Sequence, residues 1–272
     1  MGQFKKCSVV VCSCEGYKDL WYPFFYCLKK NWTDLRYPLI LSTESSLFKM
    51  EGLNIITYSM FREGEIVSWS KRLMSTLENI KSEYVILLLD DFLIESPVKS
   101  NLLDTYIKYL DENPEIAAFE LRNEPTLRNW EIEDNRFEGF SMKKKNSPYR
   151  LCSQAGIWRR EMLMKCLRSH ESIWLFEYLG TIRSRRFKWL FYRSNTSQSE
   201  PFDYSGGRLV VRGKYYLPDV ERIEKKVGIK IDTEKRGITT IDWFSMPPRT
   251  WKEAILHYLK IKTYIDAIKS LI

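Results

Sequence analysis

The sequence predicts an α/β protein built on a largely parallel sheet with helices on its faces. Three observations carry that expectation. First, apolar runs over 7–14, 37–42, 54–59, 84–89 and 116–121 are short and rich in aliphatic and β-branched residues, as strands covered on both faces require. Second, segments of helical periodicity separate several of these runs, so the first half reads as a βαβ-rich succession. Third, the fourth run, Tyr84-Val85-Ile86-Leu87-Leu88-Leu89, ends abruptly in Asp90-Asp91. That is the end of a strand at which open α/β sheets bind their ligands.

The elements follow in order. Residues 7–14 form a strand closed by Glu15-Gly16-Tyr17, and 19–31 an aromatic-rich helix that tolerates Pro23 in its first turn. Strands at 37–42 and 54–59 precede an amphipathic helix over 68–81, in which Trp69, Leu73, Leu77 and Ile80 recur at helical spacing. After the acid-ended strand come a helix over 97–113, stopped at Pro114, and a strand at 116–121. The second half is less regular. Strands are expected at 136–142, 149–158 and 188–192, helices at 160–168 and 174–186, and a strand at 209–216 interrupted by Gly213 that leads through Pro218 into a helix. Residues 249–272 read as a Lys-rich amphipathic helical tail. Without repeats or a Ser/Gly-rich linker, residues 1–246 read as one domain, with 247–272 as its appendage.

A hydrophobic content of 44% supports a proper core, and the net charge of +8 is spread along the chain. Such a charge suits nucleotide phosphates or an anionic membrane surface. No nucleic-acid-binding signature accompanies it, so no nucleic-acid partner is expected. The six cysteines show no paired CxxC spacing and there are only two histidines, which disfavours structural zinc. Reduced thiols in a cytoplasmic protein are the expectation. The amino terminus carries no signal-peptide pattern, and no apolar run is long enough to cross a bilayer.

Two adjacent carboxylates in apolar surroundings repel each other, so a divalent cation, basic side chains or solvent must compensate them. A hard metal ion would prefer their oxygens. A solvated Asp-Asp turn is the plainer reading of the same residues.

Several further phrases accompany the acid pair: Tyr22-Pro23-Phe24 with Asn31-Trp32, Trp69-Ser70-Lys71-Arg72-Leu73, Ser153-Gln154-Ala155-Gly156-Ile157-Trp158, Trp174-Leu175-Phe176-Glu177 and Arg212-Gly213-Lys214. In this order they resemble bacterial GT-A glycosyltransferases of the surface-polysaccharide type, which serve capsule and O-antigen synthesis. No single phrase is specific; their co-occurrence carries the resemblance. It implies a hexosyltransferase-like enzyme with a nucleotide-sugar half (1–121) and an acceptor half (122–246). The GT-A acidic motif usually reads Asp-x-Asp or Glu-Asp-Asp, and here Leu89 stands in the first acidic position. The usual register then makes Asp91 the metal contact, for Mn²⁺ or Mg²⁺, and puts Asp90 near the ribose or sugar.

The resemblance also implies a nucleoside diphosphate sugar as donor, a UDP-sugar before others, and a saccharide or lipid-linked saccharide as acceptor. Lys214 and Arg212 would bind the diphosphate, or form only a solvated basic turn. Lys71 and Arg72 would approach the nucleotide. Glu177 lies among Trp174, Leu175, Phe176 and Tyr178, a setting that raises a carboxyl pKa toward that of a useful base. As the catalytic base it would make the enzyme inverting; its plainer reading is a solvated helix position. Gln154, Trp158 and Trp174 would contact the acceptor, although Trp158 reads more readily as core. The basic tail suits contact with the inner face of the plasma membrane, or packing against the body. A sugar-nucleotide pyrophosphorylase would show a Gly-rich, Arg-containing loop after the first strand, where this chain has only Gly16. A non-catalytic carbohydrate-binding or assembly protein is the remaining alternative.

Overall fold

Strand β1 (Cys7–Cys12) is buried at every position, and its two faces meet two different cores. Val9 and Val11 join one apolar cluster, while Val10 and Cys12 join another. An unalternating strand is therefore a strand with helices on both sides. In the computed structural model, which describes residues 6–204, 207–242 and 268–269, β1 pairs in parallel with β2 (Leu39–Thr43) on one side. On its other side it pairs in parallel with β4 (Tyr84–Leu89). Strand β3 (Ile55–Ser59) extends the sheet beyond β2, again in parallel. Strand β5 (Ile116–Glu120) is separated from β4 by β8 (Gly156–Arg159), which runs antiparallel to both.

Beyond β5 the order continues through β9 (Leu190–Ser194), β7 (Phe140–Lys143) and β6 (Glu131–Glu133). The sheet order is thus β3-β2-β1-β4-β8-β5-β9-β7-β6. A largely parallel α/β sheet is what the sequence predicts. The inserted antiparallel β8 and the β6–β7 hairpin are additions it does not show.

Helices α1 (Lys18–Asn31) and α3 (Ser100–Glu112) supply Trp21, Phe24, Phe25, Leu103 and Tyr106 to the first cluster. Helices α2 (Trp69–Asn79), α4 (Arg160–Cys166) and α5 (Ile173–Ser184) supply Trp69, Leu73, Leu163 and Phe176 to the second. Ser68 caps α2 by accepting from Lys71 N at 3.0 Å. The helix expected over 97–113 begins only at Ser100, because Val98 N and Lys99 N donate to Asn31 O and Pro201 O. A smaller unit follows: β10 (Val210–Val211), β11 (Lys214–Tyr216), α6 (Leu217–Val227) and β12 (Ile238–Thr239). It seals a third cluster around Tyr215, Val220 and Ile223. No helix among the described residues is long and apolar enough to cross a membrane. The tail expected over 247–272 lies outside the described residues except for 268–269.

The strand expected over 149–158 is the main correction to the element map. Only Gly156–Arg159 is a strand. The preceding residues satisfy their backbone groups with side chains instead of a ladder. Lys143 Nζ donates to Tyr149 O at 3.0 Å, Leu151 N donates to Thr181 Oγ1 at 3.0 Å, and Ser153 N donates to Glu177 Oε1 at 2.8 Å. Tyr149 takes a left-handed φ of 50° at the turn.

Holding that segment is a buried ionic cluster. Arg193 donates to Glu120 at 2.9 Å and to Glu131 at 3.0 Å, and Lys143 bonds Glu120 as well. Arg193, Glu120 and Lys143 are almost wholly buried. Removing one partner of such a cluster leaves uncompensated charge inside the protein. Arg193→Met is expected to lower unfolding free energy by about 3–5 kcal/mol in urea titration; a loss near zero would contradict the cluster's structural role.

Candidate functional site

The carboxyl ends of β1, β2 and β4 lie side by side, because Cys12 pairs with Ser42 and with Leu89. The residues just past those ends, Ser13, Glu44, Asp90 and Asp91, therefore meet at one edge. Ser13 Oγ donates to Asp90 Oδ2, and Trp21 Nε1 donates to Ser13 Oγ at 2.5 Å. Arg72 braces the same corner: Nε donates to Ser13 O at 3.1 Å, and Nη1 to Glu44 Oε1 and Val67 O, each at 2.8 Å. Asp90 is thus buried and fixed from below, while Asp91 is half-buried beside it.

Burial, and then the charge of Asp91, hold the Asp90 carboxyl well above the usual carboxylate range. Asp91 is pushed up to about 6 by burial, against the opposing pull of Arg208 and Arg236. The chain crosses back over the pair here, with Leu209 N donating to Asp91 O at 2.7 Å. Arg236 is locked in place: it donates to Asp19 Oδ2 at 2.6 Å and to Gly16 O at 2.6 Å, and its guanidinium lies 4.3 Å from the Tyr17 ring centroid. Asp19 also accepts from Tyr215 Oη at 2.7 Å. Arg122 and Arg208 lie over Phe92, the residue after the pair, at 5.3 and 6.0 Å. The compensation that the sequence demands is therefore partly built in, as guanidinium groups from distant segments.

Arg212 and Lys214 lie at the turn of the β10–β11 hairpin. Val211 pairs with Lys214, which leaves Arg212-Gly213 as a two-residue loop with φ of 47° and 83°. Positive φ at both loop positions is the geometry that matches strand twist, and glycine suits the second. The hairpin follows directly on Leu209, so both exposed basic residues belong to the segment that crosses the acid pair. Lys71 faces elsewhere, with its ammonium 3.3 Å from Glu65 and 5.2 Å from the Phe61 centroid. Arg72 is spent on Ser13, Glu44 and Val67. Its geometry is that of a brace beneath the site, not of a nucleotide contact.

On the neighbouring side, β8 runs antiparallel to β4 with Gly156 opposite Leu87. The residues that lead into β8 therefore reach the edge where β4 delivers Asp90. Glu177 is held there, 7% exposed, accepting from Ser153 N at 2.8 Å and Ser153 Oγ at 2.6 Å. Burial raises its pKa, and the Ser153 hydrogen bonds oppose the rise. Gln154 Oε1 accepts from Arg122 Nη1 at 3.3 Å, which links the β8 side to the guanidinium over Phe92. Trp158 is corrected to core: it is 3% exposed and packs 6.0 Å from Phe191 and 6.4 Å from Phe176. Trp174 is 59% exposed on the first turn of α5.

Sequence reasoning passes over Ser13, Trp21, Arg122, Arg208 and Arg236. Ser13 and Trp21 follow the first strand closely enough to be candidates. Arg236 has no local signal, because Asp19 and Tyr17 recruit it across more than two hundred residues. The six thiols are free, and even half-buried Cys14 is pushed up to about 11 by burial, which leaves it inert at neutral pH. No group of three or more His, Cys, Asp or Glu side chains that could hold a metal ion exists among the described residues.

No family model matches the sequence, and no curated protein matches it. Solved structures with a similar course of chain include S. aureus TarS, at TM-score 0.46 and 12% identity over 98% of this chain and 49% of that one. A TarS fragment, 1-349, gives 0.44 and 15% over 71% of this chain and 58% of that one. Glucosyl-3-phosphoglycerate synthase from Mycobacterium tuberculosis, solved with phosphoglyceric acid, gives 0.42 and 13% over 66% and 65%. The chain thus spans about half to two thirds of these proteins. All three TM-scores lie below 0.5, so the functional reading rests on the residues.

The raised Asp91 pKa has a definite sign. Protonation is favoured more in the folded than in the unfolded protein, so the associated stability is full below about pH 4 and is lost as pH rises through 6. Asp91→Asn is therefore expected to be more stable than wild type at pH 8, on the order of 2 kcal/mol. That advantage shrinks toward zero at pH 4, as checked by denaturant titration at both pH values. A variant less stable at pH 8 would contradict the strained acid pair.

Proposed function

We propose that the protein is a glycosyltransferase of the GT-A type. It takes a nucleoside diphosphate sugar, a UDP-sugar before others, and passes the sugar to a saccharide or lipid-linked saccharide acceptor in surface-polysaccharide synthesis at the cytoplasmic side of the membrane. The observation that carries this reading is the acid pair at the carboxyl end of β4, faced by Arg208 and Arg236. Such an edge offers carboxylates to a cation and guanidinium groups to an anion, and a metal–diphosphate group is both.

The chain's own residues divide the work. Asp91 would hold a divalent ion together with the diphosphate, and that ion would neutralise the leaving group's charge. Asp90, fixed by Ser13 and Trp21, faces the ribose or sugar. Arg208, together with Arg212 and Lys214 of the hairpin, draws the diphosphate and stabilises its charge as the bond to the sugar breaks, while Arg236, held by Asp19 and Gly16, contributes only its field. Glu177 takes the proton of the attacking hydroxyl, and burial gives its carboxylate the required basicity. Attack from its side, opposite the nucleotide, inverts the anomeric configuration. Gln154 hydrogen-bonds acceptor hydroxyls, and Trp174 presents an indole at the rim.

A screen of nucleotide sugars for hydrolysis and transfer, with and without Mn²⁺, tests this. Asp91→Ala is expected to weaken donor binding and abolish turnover. Glu177→Gln is expected to bind donor normally while turnover falls about 10²-fold or more. Full activity in Asp91→Ala refutes the donor site, and full activity in Glu177→Gln refutes the base.

A further inference from the structure

Helix α5 carries a second feature on its exposed face. Trp174, Tyr178 and Ile182 follow one another at four-residue spacing, and Arg185 caps the same stripe at the helix end. Trp174 is 59% and Tyr178 69% exposed, an unusual state for two large aromatic residues on one helix face. Every exposed charged residue from 172 to 189 is basic: Arg185, Arg186 and Lys188. The acids of α5 and of the turn before it are withdrawn, since Glu177 is held by Ser153 and Glu171 is buried against Arg183 at 2.8 Å; the exposed acid of the adjoining helix α4 is Glu161. Lys165 extends the basic rim from α4, lying 5.9 Å from the Trp189 ring.

We propose that this stripe is a membrane-docking face for an anionic lipid surface. Trp and Tyr are the residues that settle at the headgroup boundary, with an apolar ring and a polar tip. Flanking Arg and Lys side chains add attraction to anionic lipid. The charge also argues against a second copy, which would set basic rim against basic rim. Docking here stands whether or not the acid pair acts on a nucleotide sugar.

Co-sedimentation of the full chain with phosphatidylcholine vesicles, with and without phosphatidylglycerol, tests the proposal. Binding is expected only to the anionic vesicles, and high salt weakens it. Tyr178→Ser is expected to reduce partitioning severalfold, and the pair Arg185→Glu and Lys188→Glu roughly tenfold or more. Quenching of tryptophan fluorescence by brominated lipid should fall in Trp174→Phe, a change that spares the fold. Equal binding to neutral vesicles, no binding at all, or unchanged partitioning in variants that melt like wild type would overturn it.

Discussion

The structure depends on keeping two adjacent carboxylates at the end of a buried strand. Asp90 is held by Ser13, which is held by Trp21 and Arg72, which is in turn paired with Glu44. These contacts tie the ends of β1, β2 and β4 into one rigid edge. Asp91 keeps some exposure and faces Arg208 and Arg236 from the small carboxy-terminal unit. The unit and the sheet are thus joined by the same electrostatic strain that gives the site its chemistry. The site sets two carboxyl groups against guanidinium groups from a distant segment, and the proposed function rests on that charge pattern.

A second constraint shapes the neighbouring edge. The segment from Tyr149 to Ser153 gives up strand pairing and hands its backbone groups to Lys143, Thr181 and Glu177. Glu177 is therefore oriented by the backbone of the same segment that leads into β8, and β8 pairs directly with β4, the strand that delivers the acid pair. Burying Arg193, Glu120 and Lys143 is costly in isolation. Here the cluster anchors a left-handed turn at Tyr149 and so sets the height of Ser153 and Glu177.

What could be read from the sequence was what depends on local pattern. Unalternating apolar runs gave β1, β2, β4 and β5, because burial on both faces writes itself into the residues. Helix α2 is legible from the spacing of Trp69, Leu73, Leu77 and Ile80, and the structure adds Ser68 as its cap. The strand expected at 149–158 is cut short because side chains outside it, Lys143 six residues before and Thr181 thirty residues on, outcompete the ladder for its backbone groups. Trp158 was ambiguous between core and sugar shelf, and only its packing against Phe176 and Phe191 decides for core. Arg72 looked like a nucleotide ligand because its charge is visible, while its partners Ser13 and Glu44 become neighbours only on folding. Arg208 and Arg236 escaped for the same reason.

The central claim is that Asp91 is a strained carboxylate waiting for a cation brought with a diphosphate. Calorimetric titration with Mn²⁺ and uridine diphosphate at pH 6, in two buffers of different ionisation enthalpy, counts the protons released on binding. With Asp91 titrating at about 6, the account predicts that wild type releases roughly half a proton per site more than Asp91→Asn, the protons shed by the diphosphate itself being common to both. Binding of equal strength in wild type and Asp91→Asn, with the same proton release in both, would contradict it.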